Sequence, residues 1–164
     1  MNTGAFADTL PTLFAELIDG PSKSGGFMLN RGDEGLVRSL DKLSAADASA
    51  PTATASSIAA HVDHLRYGLS LMNRWSRGEN PFTDADWSAS WRKRTVSDAE
   101  WRQLRADLRA EASSWLQALR VPREVDSTAL NGVVGSIAHL AYHLGAIRQM
   151  NRAARGPTES GHSV

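Results

Sequence analysis

The sequence contains no cysteine. This excludes disulfide bonds, thiolate metal ligands and a cysteine nucleophile, and it leaves histidine, aspartate and glutamate as the plausible metal ligands. The lack of cysteine agrees with a reducing compartment, and the N-terminal residues lack the basic region of a signal peptide, so we expect a cytoplasmic protein. No apolar run approaches the roughly 20 residues that span a bilayer, and we expect no membrane partner.

An excess of one charge is also missing. Eighteen basic and eighteen acidic residues cancel, so no overall field attracts nucleic acid or an anionic membrane. The segment 87–105 interleaves tryptophans with arginines, a combination that can stack on single-stranded nucleic acid. Acidic residues flank this segment, and its tryptophans are expected to pin a long connection to the domain. We therefore expect no nucleic-acid partner.

The alternation of apolar and polar residues that is typical of β-strands is absent, and helical spacing dominates instead. Capping residues, helix breakers and a linker of small residues at 50–57 divide the chain into helical stretches. These stretches are a first one ending near residue 19, then 33–49, 57–75, 97–120 and 131–154. The sequence predicts an all-α four-helix bundle with long connections, with residues 1–154 as one domain and 155–164 as a mobile tail.

Histidines recur at helical spacing in two of these stretches. The phrase SIAHLAYHLGAIRQM carries His139 and His143, which lie four residues apart and project from one side of a helix. By helical count, both lie at the edge of that helix's apolar stripe. The earlier phrase SIAAHVDHL places His64 at the matching edge of its own stripe, so packing of the two helices can bring three imidazoles together. Such a set leaves positions for water or substrate, as in a catalytic metal site.

A satisfied pair of core histidines is the alternative explanation. An isolated pair of histidines four residues apart on an apolar helix is more often structural than metal-binding, and the third histidine on another helix is what favours a metal site. His61 lies closer to the middle of its stripe, where we expect a core residue or a residue that supports a ligand. His162 lies in the tail, and we assign no role to it.

Taken together, the two histidine phrases resemble the DinB/YfiT-like superfamily of four-helix metalloproteins. The resemblance covers most of residues 33–152, and EGLVRSLDKLSA is similar to the first core helix of that family. It implies a divalent metal ion bound by His64, His139 and His143, and it implies a symmetric homodimer. Three histidines do not select among zinc, nickel, manganese and iron.

The activity that the resemblance implies depends on the metal. Some members of the family look like transferases or isomerases that use low-molecular-weight thiols, and others look like hydrolases. We therefore expect a metal-activated thiol or water that acts on a small molecule. The alternative is a non-catalytic bundle that binds a ligand or a protein partner around a structural metal. An acid or base near an open coordination position would favour the enzyme, and a fourth protein ligand would favour the alternative.

No general base stands out in the sequence, and no catalytic residue is assigned. Asp63 points away from the His64 edge by helical count. The connection that follows this helix contains Glu79, Asp84 and Asp86. These carboxylates could reach the mouth of a site, but we favour the explanation that they are solvated charges of the connection.

Small residues follow two of the histidines by about one turn. They are Gly68 after His64 and Ala146 after His143. They either leave room for a ligand beside the metal or let the helices approach closely, and the sequence favours neither explanation.

Overall fold

Helices account for the regular structure of this chain. The computed structural model describes residues 2–51 and 56–157, and in those ranges it contains six α-helices and three 3₁₀ helices but no β-strand. The α-helices are α1 (Thr9–Asp19), α2 (Gly35–Asp41), α3 (Ala45–Ser49), α4 (Ile58–Ser76), α5 (Asp98–Leu119) and α6 (Ser127–Met150). The 3₁₀ helices are Thr3–Phe6, Ala89–Trp91 and Arg152–Ala154. The all-α prediction is confirmed.

Four of these helices form the bundle. Helix α4 packs on α5 and α6, and α1 packs on the same two helices. The order around the bundle is therefore α1, α5, α4, α6, with α1 diagonally across from α4. The predicted apolar stripes meet in the centre, where the completely buried side chains include Phe14, Leu17, Leu36, Leu40, Val62, Leu108, Trp115, Leu140, Leu144 and Ile147.

Two bundle helices begin where their capping residues predict. Ser57 Oγ accepts a hydrogen bond of 3.2 Å from the N–H of Ala60 at the start of α4. Ser97 and Glu100 form a capping box at the start of α5. Both caps satisfy N–H groups that have no partner inside the helix, which is why the local sequence suffices to place these starts.

The stretch 33–49, predicted as one helical piece, is broken into α2 and α3. The indole of Trp101 donates a hydrogen bond of 2.8 Å to the carbonyl of Leu43, and Ser44 caps α3 through a capping box with Asp47. The helix stops between α2 and α3 because the backbone groups at the break have these partners instead of helical ones. The segment EGLVRSLDKLSA therefore forms only the short helix α2 and the break after it. The helix that completes the bundle with α4, α5 and α6 is α1.

The last helix begins earlier than predicted. It starts at Ser127 instead of near Asn131, because Asp126 caps it by accepting a hydrogen bond of 2.7 Å from the N–H of Ala129. The helix ends at Met150, and the predicted end near residue 154 falls in the following 3₁₀ helix. The earlier start adds a turn to α6 on the N-terminal side of the histidines.

A buried carboxylate organises the connection between α1 and α2. Glu16 is almost completely buried, and its carboxylate oxygens accept hydrogen bonds of 2.7, 2.7, 2.9 and 3.0 Å from the backbone N–H groups of Phe27, Met28 and Leu29. Gly26 is required beside it, because a Cβ there would lie 2.4 Å from Glu16 Oε1. The connection thus folds around a side chain of α1.

A buried ion pair joins the end of α6 to the start of α2. Arg148 Nη2 donates to Asp33 Oδ1 at 2.6 Å, and both side chains are largely buried. Asp33 also accepts a hydrogen bond of 2.8 Å from the N–H of Gly35. The arginine of the HLGAIRQM phrase, Arg148, therefore links the end of α6 to the segment that precedes α2.

Some of the predicted organisation lies outside the described residues. This applies to positions 52–55 of the linker and to positions 158–164 of the predicted tail, which include His162. Within the described ranges, no helix is both long enough and apolar enough to cross a membrane.

Candidate metal centre

Three histidines from two helices meet between α4 and α6. His139 Nε2 lies 3.0 Å from His64 Nε2 and 2.9 Å from His143 Nε2. His64 comes from α4, and the other two lie one turn apart on α6, as their spacing predicts. Within the described chain, these three side chains form the group whose ligand atoms are close enough to share one ion.

The chemistry of this donor set fits a divalent cation. Nitrogen ligands about 2.1 Å from one ion lie roughly 3.0 to 3.4 Å from each other, which is close to the distances of 3.0 and 2.9 Å from His139 Nε2 to the Nε2 atoms of His64 and His143. Hydrogen bonds alone satisfy these three nitrogens less completely than a shared cation does. A proton on His139 Nε2 can be donated to only one of the two neighbouring nitrogens. The three histidines can therefore hold a metal ion.

A hydrogen bond to Ser90 places the proton on His64. The Ser90 hydroxyl donates to the carbonyl of Trp87 at 2.7 Å, so its oxygen accepts the bond of 2.7 Å from His64 Nδ1. With the proton on Nδ1, the Nε2 of His64 keeps its lone pair for a cation. Ser90 is buried in the 3₁₀ helix Ala89–Trp91, and it therefore sets both the tautomer and the orientation of this imidazole.

His61 plays the corresponding part for His143. The Nδ1 atoms of the two rings lie 2.8 Å apart, while the Nε2 of His143 faces His139. A free lone pair on His143 Nε2 requires the proton on Nδ1, and His61 Nδ1 is then the acceptor. His61 is buried, with its ring edge-on to Trp91 at 5.0 Å. It thus lies inside the core, the position that helical counting predicts for it.

Burial favours the neutral form of all four imidazoles. Burial lowers the pKa of His64 to about 4 and the pKa of His143 to about 3, and the neighbouring histidines add to both shifts. Burial also lowers the pKa values of His61 and His139. Because a metal ligand must offer an unprotonated nitrogen, these directions suit metal binding at neutral pH.

Two tryptophans of the connection between α4 and α5 pack against the histidines. The ring of Trp91 stacks on the ring of His64 at a centroid distance of 4.3 Å and lies 5.7 Å from the ring of His143. The ring of Trp87 lies 5.6 Å from that of His64 and equally far from that of Tyr67. The long connection is therefore attached to the bundle at the histidine cluster.

The carboxylates considered as general bases lie elsewhere. Asp63 forms an ion pair with Arg66, and Glu79 forms one with Arg74. Asp86 accepts hydrogen bonds from Ser88 and Ala89. Asp84 is exposed. In the part of the chain that the structure describes, the group able to share an ion includes no carboxylate. The described carboxylates therefore contribute no ligand atom to the histidine cluster.

An apolar cavity of about 330 Å³ opens beside the cluster. His64 and His139 lie on its wall, and it extends along α4 and α6 to Phe82 and Trp87 of the connection. Gly68 belongs to this wall and Ala146 does not. A larger cavity of about 630 Å³ runs along α1, and its wall contains no histidine among the described residues. The smaller cavity is therefore the one that a molecule at the histidines would enter.

These features define the class of protein: a helical bundle in which two helices present a cluster of histidines compatible with metal binding. The family comparison makes this specific, because the DinB superfamily matches residues 28–147, and the chain belongs to that superfamily. The match spans all three clustered histidines and confirms the resemblance seen in the sequence. Comparisons with curated proteins and with solved structures gave no match.

Ser90 is the residue of this centre that sequence reasoning missed. A single serine in a connection has no spacing that relates it to a histidine 26 positions away. The available signal was indirect: the connection is long for a helical bundle, and two tryptophans flank Ser90 within it.

Proposed function

We propose that this protein is a metal-dependent enzyme that binds one divalent ion through the Nε2 atoms of His64, His139 and His143. The observation that carries the proposal is the convergence of three imidazole nitrogens with no fourth protein ligand beside them in the described chain. Three protein ligands and an open position are typical of catalytic sites, whereas structural sites are closed by four. Zinc, nickel, manganese and iron all accept such ligands.

When bound, a divalent ion acts as a Lewis acid and lowers the pKa of a water or thiol in the site. The chain's own residues prepare that position. Ser90 and His61 hold two of the ligands in the required tautomers, and Trp91 covers the His64 ring. Rings held in this way keep their orientation while a substrate binds and leaves.

Among the described residues, no carboxylate belongs to the cluster, and this favours thiol transfer over hydrolysis. A free thiol has a pKa of about 8.5, far below the value of about 15.7 for water, so a thiol needs less help to lose its proton near neutral pH. We therefore propose that a low-molecular-weight thiol is a substrate. Its sulfur loses the S–H proton and forms a bond to an electrophilic carbon of a second small molecule, from which a leaving group departs with the electron pair of the broken bond, or which takes up the proton when the reaction is an addition. Hydrolysis by an activated water is the second candidate reaction.

The rival function is a non-catalytic bundle in which the metal links α4 to α6. The cobalt-substituted protein distinguishes the two. If a coordination position is open to substrate, adding a small thiol is expected to produce a thiolate-to-cobalt charge-transfer band that saturates with thiol concentration. Thiol consumption in the presence of an electrophile should then depend on the bound metal. A cobalt spectrum that no thiol, ester or azide changes would support the structural rival.

Ser90→Ala is expected to weaken metal binding about 10- to 100-fold, because the His64 ring loses the hydrogen bond that fixes its tautomer and orientation. Competition with a chromophoric chelator measures this change. Ser88→Ala is the matched control, since the Ser88 hydroxyl bonds to Asp86 and not to a histidine. Equal affinities for the Ser90 variant and the unchanged protein would contradict the role given to Ser90.

We also propose a symmetric homodimer, as membership of the superfamily suggests. Sedimentation equilibrium should then give twice the 17.7 kDa of one chain. A mass of one chain at micromolar concentration would refute the dimer without affecting the metal site, because all three proposed ligands come from a single chain.

A further inference from the structure

The cavity beside the histidines has a wall of unusual chemistry. Its apolar side chains come from α4 and from the following connection, namely Leu65, Leu69, Met72, Phe82 and Trp87. Phe82 and Trp87 are 45% and 41% exposed, although aromatic side chains of this size normally gain from burial. The exposed parts of these two rings therefore offer contact area to an incoming molecule.

Among the described residues, no aspartate, glutamate, lysine or arginine lies on this wall. The polar residues are His64, His139 and Ser136. Ser136 is already engaged, because its hydroxyl donates to the carbonyl of Val133 at 2.7 Å and accepts from the indole of Trp115 at 3.0 Å. Polar interactions with an occupant are therefore concentrated at the end where the two histidines lie.

Three glycines complete the wall, and neither the backbone nor helix packing requires them. Gly68 lies within α4, Gly132 and Gly135 lie within α6, and none of them has a positive φ. A Cβ built on Gly132 or Gly135 meets nothing within 4 Å, and one on Gly68 makes ordinary contacts at 3.6 Å with Trp87 and 3.9 Å with His139. Glycine inside a helix is destabilising relative to alanine. The three glycines therefore make the helices less stable than alanines would, and they leave open space at the wall of the cavity.

From the cavity, its wall without aspartate, glutamate, lysine or arginine, and this open space, we propose that the cavity binds the aromatic or branched alkyl group of a neutral small substrate. The polar, reacting end of that substrate then lies against His64 and His139. Gly68, Gly132 and Gly135 set the size of the group that fits. The identity of the reacting end rests on the proposed function, whereas binding of the apolar group depends on the cavity alone.

A pair of matched fluorescent probes tests this proposal. N-phenylnaphthylamine is neutral and apolar, and anilinonaphthalenesulfonate has the same ring system with one added sulfonate. The neutral probe is expected to bind the metal-free and the metal-loaded protein. In the metal-free protein the sulfonated probe should bind at least about tenfold more weakly, because no lysine or arginine among the described residues of the wall compensates for the desolvation of its charge. Equal or tighter binding of the sulfonated probe to the metal-free protein would overturn the proposal.

Variants of the glycines locate the binding. Gly135→Leu and Gly132→Leu each place a side chain into the cavity and should lower the affinity for the neutral probe about tenfold or more. Gly145→Leu is the control, because Gly145 lies on the same helix, outside the cavity, and also has nothing within 4 Å of its Cβ position. Circular dichroism verifies that all three variants fold. If the cavity variants and the control bind the probe alike, the cavity is not the binding site.

Metal content measured on the same samples separates the two proposals. If the protein contains metal but does not bind the neutral probe, the cavity proposal is overturned and the metal centre is supported. If Gly135→Leu weakens probe binding but the protein takes up no metal, the proposed metal-dependent enzyme is overturned and the cavity proposal is supported.

Discussion

Protein purified without added metal or an affinity tag is expected to carry about one divalent ion per chain, and the His139→Ala/His143→Ala variant almost none. The double replacement removes two of the three imidazoles that converge between α4 and α6. One remaining histidine cannot hold an ion against competition from buffer. Elemental analysis by plasma mass spectrometry, with protein concentration from absorbance, gives the ratio directly.

Tyr142→Ala is the matched control for this variant. Tyr142 lies between the two ligands on α6, but its side chain is 69% exposed, so its loss should leave the metal content unchanged. Near-ultraviolet circular dichroism shows whether each variant keeps its packing. An unchanged protein that holds no metal and takes up no added zinc, nickel or manganese would reduce the cluster to core histidines. The proposed enzyme would then be abandoned as well.

Glu16→Ala is expected to lower the free energy of unfolding by about 3 to 5 kcal/mol, a large share of the stability of an ordinary domain. Three backbone N–H groups, those of Phe27, Met28 and Leu29, donate to this carboxylate. Each loses its acceptor in the variant, and an unpaired buried polar group costs about 1 to 3 kcal/mol. Urea denaturation followed by circular dichroism measures the change.

Two further variants test whether the backbone acceptors are the cause. Glu16→Gln keeps one oxygen but turns an amide donor toward the same N–H groups, so its stability should lie between those of the unchanged protein and Glu16→Ala. Asp19→Ala, at the exposed end of α1, should change the free energy of unfolding by less than about 0.5 kcal/mol. A loss for Glu16→Ala no larger than that for Asp19→Ala would show that the connection does not depend on this carboxylate.

The sequence alone carried much of the fold because the relevant signals are local. The sequence offers Ser56 or Ser57 as the cap of α4, and the structure uses Ser57. Ser97 with Glu100 marks the start of α5, and each cap bonds an N–H group three residues away. The break between α2 and α3 escaped prediction for the opposite reason. It involves the indole of Trp101, which lies 58 positions from Leu43 and reaches its carbonyl only in the packed bundle.

The candidate site divides in the same way. A spacing of four residues on a helix determines by itself that His139 and His143 lie on one side, and the matching stripe edges pointed to His64 as their companion. The packing of α4 against α6 brings His64 Nε2 within 3.0 Å of His139 Nε2, which itself lies 2.9 Å from His143 Nε2. The hydrogen bond from His64 to Ser90, the contact of His61 with His143 and the apolar cavity also arise only in the tertiary structure. Helical periodicity relates residues within one turn, whereas the distance between a connection and a helix depends on how the whole chain packs.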